Sequence, residues 1–119
     1  MSLTSRNFII KQNDTLPALQ VTIIDMNCLG GKEPFCLDSV SAVTFTMVDS
    51  CGNAKVSMQP AGIYNSSGGT VQYIWSCGDT DENGKFSGEF QLYFNGGGKM
   101  SVPQDGSINV EILKEISNF

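Results

Sequence analysis

Histidine is missing from all 119 residues. Its absence removes the commonest general base, the commonest zinc ligand after thiolate, and both the Ser-His and Cys-His nucleophile pairs. Any enzyme hypothesis is left with carboxylate or lysine chemistry. Basic residues are also scarce: seven against twelve acidic ones give a net charge of −5, with no Lys/Arg cluster to offset it. That sign is wrong for neutralising a phosphate backbone, so nucleic acid is not an expected partner. No apolar run approaches membrane-spanning length, and the N-terminal MSLTSRN is polar where a signal peptide would be apolar. Synthesis in the cytosol as a soluble protein, with no membrane partner, is the expectation. Nowhere does an i, i+3, i+4, i+7 apolar pattern persist, so little or no helix is expected.

What the chain does have is 13 glycines and a succession of short alternating runs. Phe8 to Lys11 is the first. Ala18 to Asp25 follows, with Leu19, Val21 and Ile23 on one face and Gln20, Thr22 and Ile24 on the other. Pro17 stands at its start, where a missing N–H disturbs the ladder least. A loop from Met26 to Ser39 precedes Val40 to Asp49, the clearest strand, with Val43, Phe45 and Met47 inward. SCGN reads as a hairpin turn, after which Ala54 to Met58 returns, Pro60 interrupts, and Gly62 to Tyr64 forms a further short piece. Thr70 to Trp75, Phe86 to Phe94, Lys99 to Val102 and Ser107 to Leu113 complete the set. Seven to nine short strands with turns every 8 to 12 residues or so predict a single all-β antiparallel sandwich over residues 8–119, preceded by a flexible arm over residues 1–7.

Three features invite chemistry. DTDENG places Asp79, Asp81 and Asn83 at alternate positions before a glycine, the opening of an EF-hand calcium loop. The twelfth position of that loop should be a bidentate glutamate; it is Phe90, and the flanks are strand-like. A plain turn, its Asp side chains bonded to nearby backbone, is the favoured reading, and no metal or other cofactor is expected. Cys28, Cys36, Cys51 and Cys77 include no CxxC pair. Free thiols are the favoured reading for a chain made in a reducing compartment; if bridges form and strands run alternately up and down, Cys28 pairs best with Cys36 and Cys51 with Cys77. Trp75, in register with Val71 and Tyr73, belongs with the core rather than on a carbohydrate platform. Ile24, Ile74 and Tyr93 break the alternation outward, and Phe35 lies in the long loop. These four are candidates for an interface with a partner, against the alternative that scattered surface apolar residues are ordinary.

Taken in order, FIIKQNDTLPALQVTIID, LDSVSAVTFTMVDSCGNAKV, VQYIW, GDTDENGKFSGEF and MSVPQDGSINVEI resemble the immunoglobulin-like domain found at the N-terminus of bacteriophage baseplate upper proteins and as small stand-alone virion proteins of tailed phages. The likeness runs from Phe8 to Ile112. It departs at Phe86, where the family usually carries tyrosine, and in the loop from Cys28 to Cys36, longer than the family's turn. The resemblance implies an immunoglobulin-like sandwich and a non-enzymatic structural role in the virion, in the baseplate or tail, present in many copies among other virion proteins. A decoration or cement subunit of the phage head is the alternative, since the chain carries no fibre stem. A glycan- or host-surface-binding module, with the loop from Met26 to Ser39 as binding element, is a third reading.

Overall fold

The structure is a computed structural model describing residues 2–3, 6–26, 32–103 and 106–114. No helix occurs among them. Ten strands are formed: β1 (Ser2–Leu3), β2 (Asn7–Lys11), β3 (Leu19–Met26), β4 (Lys32–Pro34), β5 (Val40–Asp49), β6 (Ala54–Asn65), β7 (Thr70–Tyr73), β8 (Gly84–Phe94), β9 (Lys99–Val102) and β10 (Ile108–Leu113). The excess over the expected seven to nine comes from β1 and β4, of two and three residues.

The strands follow one hydrogen-bonded order, β1-β3-β7-β6-β5-β8-β10-β2, with β4 against β3 and β9 against β8. Because β6 changes partner midway, this order folds into two layers. Val43, Thr44 and Phe45 of β5 face Ala61, Pro60 and Gln59, whereas Gly62, Ile63 and Asn65 face β7. One layer is therefore β6-β5-β8-β10-β2, and the other is β6-β7-β3 with β1 and β4. Every ladder is antiparallel except β10 with β2, which run parallel from Asn109–Asn7 to Leu113–Lys11. This is the one departure from the expected antiparallel arrangement. Strands from opposite ends of the chain can pair in parallel because the rest of the molecule serves as the crossover.

Alternation decides what lies between the layers. Leu19, Val21 and Ile23 of β3, Val71 and Tyr73 of β7, Val43, Phe45 and Met47 of β5, Phe90 and Leu92 of β8, and Ile108, Val110 and Ile112 of β10 form one buried core. At its centre the Phe45 ring lies 4.8 Å from Tyr73, 5.0 Å from Phe90 and 5.9 Å from Trp75. Gly88 makes room for it, since a Cβ there would sit 2.9 Å from Phe45 Cζ.

Four segments differ from the reading of the sequence. The N-terminal arm is partly built in: Ser2 and Leu3 pair with Ile24 and Ile23, and Leu3 is buried. The segment from Met26 to Ser39 is not all loop, because β4 returns against the end of β3 and so occupies backbone groups there. β6 is one strand rather than two. Pro60 is carried within it, and the irregularity is a bulge around Ser57 and Met58, where Met58 takes φ of 46° and donates its N–H to Thr46 Oγ1 at 3.1 Å. Finally, β7 ends at Tyr73, although Trp75 stays buried against Phe8, with ring centroids 5.8 Å apart.

Candidate functional site

The DTDENG segment lies between β7 and β8, and its carboxylates face different partners. Asp79 Oδ2 accepts from Tyr73 Oη at 2.5 Å and from the Ser76 N–H at 2.8 Å. Burial, and then the Asp79 carboxylate, push the Tyr73 phenol well above its ordinary range. Asp81 is turned away, paired with Lys55 of β6, and Glu82 joins the same ammonium at 3.3 Å. The hydrogen bond to Asp81 is the main cause of a raised Lys55 pKa. Thr80 is buried between them; its hydroxyl donates to Asp14 O at 2.8 Å, its carbonyl accepts from the Asn13 N–H at 2.9 Å, and Gln12 Nε2 donates to Asp81 O at 2.8 Å. The segment therefore clamps the turn after β2 to β6 and β7. Asp79 and Asp81 serve different partners, and no group of three or more His, Cys, Asp or Glu side chains placed to hold a metal occurs among the described residues.

Phe86 is buried, and Tyr73–Asp79 supplies the bond between a core strand and the turn.

Neither pairing set out for the bridged case is formed. Cys36, Cys51 and Cys77 are exposed free thiols, so Cys51 and Cys77 are not joined and Cys36 is not in a disulfide; Cys28 lies outside the described residues. Each of the three sits in a connection with its own local bonds. Asp49 Oδ1 accepts from the Cys51 and Asn53 N–H groups, both at 2.9 Å, which shapes the β5–β6 turn and holds the Asp49 carboxyl below its ordinary pKa. Asp38 is held low by Ser66, whose hydroxyl lies 2.5 Å away, and then by Cys36.

The four interface candidates do not gather into one patch. Ile74 is 61% exposed, on the β7 side of the molecule, and borders a small hollow of about 130 Å³ with Pro60, Ala61, Gly62 and Gln72. Ile24 is half-buried on β3. Tyr93 belongs to the other layer, with Lys99 Nζ 5.9 Å from its ring centroid. Phe35 turns inward, packing edge-on to Phe94 at 6.5 Å. Four apolar side chains outside the sequence candidates are exposed to a similar degree as Ile74: Ile9, Leu16, Met58 and Tyr64. Alternation was the signal available for Ile9, which lies opposite in parity to buried Ile10. A second missed feature is Gln91, buried on the β5–β8 sheet, where its Oε1 accepts from Thr44 at 2.8 Å and its Nε2 donates to Glu89 at 2.9 Å.

A groove of about 550 Å³ runs over β2, β10 and β8 between Asn7, Ile9, Lys85, Ser87, Asn109 and Glu111. It lies along the strand that terminates one layer. With that geometry in hand, the chain can be set beside known proteins. Its sequence matches no protein-family model and no curated protein. Its fold is similar to the crystal structure of CopC from Methylosinus trichosporium OB3b, with a TM-score of 0.54 and 10% sequence identity over 99% of this chain and 98% of that one. The likeness is one of fold. It extends over the whole sandwich, and at that identity it carries no residue of a site from one protein to the other.

Proposed function

We propose that this chain is a non-enzymatic structural subunit of a tailed-bacteriophage virion, an immunoglobulin-like module seated among other virion proteins in the baseplate or tail. The observation that carries the reading is the sequence resemblance from Phe8 to Ile112. Its quoted segments include β2, β3, β5, β8 and β10, strands that supply most of the buried core. A secondary support is the distribution of exposed apolar side chains. Ile9, Leu16, Tyr64 and Ile74 lie on different elements, an arrangement suited to a subunit with several neighbours rather than to one ligand pocket.

The test is to purify particles from lysates in which the chain is encoded and to measure it by quantitative mass spectrometry, followed by cryo-EM. A fixed copy number per particle and sandwich-shaped density in the tail or baseplate are expected. Density on the head would replace that placement with a decoration role. A chain found only in the soluble fraction, and never in particles, would end the virion reading.

A further inference from the structure

Asparagine is followed by glycine twice, at Asn83-Gly84 and Asn95-Gly96, and both asparagines are exposed. Such a pair is chemically unstable. The backbone nitrogen after an asparagine can attack the side-chain amide carbon, and glycine, having no Cβ, hinders that approach least. By sequence the two pairs are equivalent. Their backbones are not.

Gly84 opens β8 opposite Ile112 of β10. Asn109 N donates to Arg6 O and Leu113 O accepts from Gln12 N, so the odd-numbered residues of β10 direct their backbone groups toward β2. Successive residues alternate sides, so Ile112 directs its own toward β8, where it forms a hydrogen-bonded pair with Gly84. The Gly84 nitrogen is thereby held in the ladder. It reaches the Asn83 side chain only after this end of the β8–β10 ladder opens, which costs free energy each time.

Asn95 and Gly96 stand at the centre of the turn between β8 and β9. Gly97 N donates to Phe94 O at 2.9 Å, Phe94 N to Gly98 O at 2.8 Å, and Asn95 N to Ser39 O at 2.9 Å. These bonds fix the turn around Gly96 without using its own N–H. Among the described residues neither that N–H nor the Asn95 side-chain amide has a hydrogen-bond partner. A Cβ on Gly96 would meet nothing within 4 Å, so the neighbourhood of the reacting atoms is open.

We infer that Asn95 is a site of self-modification, deamidating through a cyclic imide formed with Gly96. The Gly96 nitrogen bonds to Asn95 Cγ and gives up its proton, the bond from Cγ to Nδ2 breaks, and Nδ2 leaves as ammonia. Water then opens the ring at one of its two carbonyls. One opening leaves aspartate at position 95; the other leaves isoaspartate, whose main chain runs through Cβ and Cγ and is one carbon longer. Water is the only co-reactant, and no electrons are transferred. Either product adds a negative charge to a chain already at −5, in the turn that returns β9 to β8.

The inference stands apart from the virion reading. The folded protein is incubated at mildly alkaline pH in heavy-oxygen water, and the peptides carrying Asn83 and Asn95 are followed by mass spectrometry, with isoaspartate counted by enzymatic methylation. The same chain unfolded in urea is the reference. In the folded protein Asn95 is expected to convert roughly tenfold faster than Asn83, or more, and in urea the two rates should come together. Gly96→Ala, whose methyl group the open space accommodates, should slow conversion at Asn95 by about tenfold and leave Asn83 unchanged. Folded-state conversion at Asn83 as fast as at Asn95 would overturn the assignment. So would an Asn95 that stays intact while the unfolded chain converts, or a Gly96→Ala variant that converts as fast as wild type.

Discussion

Met58 shows how much a single backbone position can be made to hold. Its φ of 46° is a conformation that costs a non-glycine residue about 1 kcal/mol, and its side chain is largely in solvent, so little packing offsets that cost. Met58→Gly should therefore stabilise the protein by about 1 kcal/mol in urea or thermal unfolding, less any increase in unfolded-state entropy. Gly69 poses the reverse case. It takes φ of 70°, and a Cβ there would lie 2.7 Å from Ile23 O and 2.8 Å from Phe35 O, both backbone atoms that cannot swing aside. Gly69→Ala should cost about 3 kcal/mol or more, read as a large fall in melting temperature. Tyr73 is legible in the sequence as a core aromatic, but its bond to Asp79 is not. Deleting the hydroxyl in Tyr73→Phe leaves a buried carboxylate contact unmade, at about 2 kcal/mol. Because the folded-state pKa of Tyr73 is raised, its contribution is complete below about pH 10 and is lost as pH rises from there, since the unfolded chain ionises first. The alkaline limb of the stability profile should thus be shallower in Tyr73→Phe than in wild type.

Among the elements, β5 and β8 were read from alternation almost to the residue, because each buries one face against a single core and a slip of one position would reverse every side chain. β6 was not. Its residues 54–65 show too little burial for a period-2 pattern, since the strand forms an edge of each layer in turn, and Pro60 looks like a break when only its direction of pairing matters. The loop DTDENG was read as a turn on its missing twelfth ligand, but its partners include Gln12, Asn13 and Asp14 after β2 and Lys55 of β6, distant in sequence, besides Tyr73 of β7 six residues away. Of its contacts, the Lys55 pairing is mostly in solvent. Lys55→Met should lower stability by no more than about 1 kcal/mol, with the difference shrinking in high salt, when measured by denaturant unfolding of both proteins at two ionic strengths.

At the scale of the molecule, the two N-terminal strands finish the two layers. β1 completes one beside β3, and β2 completes the other in parallel with β10. The N-terminal residues consequently carry stability that their polar sequence does not advertise. Leu3 is 9% exposed and joins the core, so Leu3→Ala should destabilise the protein by about 2 kcal/mol, whereas a truly free arm would leave the melting temperature unmoved.

Composition and alternation were enough to establish an all-β chain with one core and a sandwich of short strands, because these are local matters of side-chain period. Tertiary structure alone decided that β6 crosses between layers, that β2 lies parallel to β10, and that Ile24, Phe35, Ile74 and Tyr93 are not gathered into one cluster. Each of these depends on which strand becomes the neighbour of which. Many strands share the same alternation, so the pattern specifies a buried face but not the partner beside it.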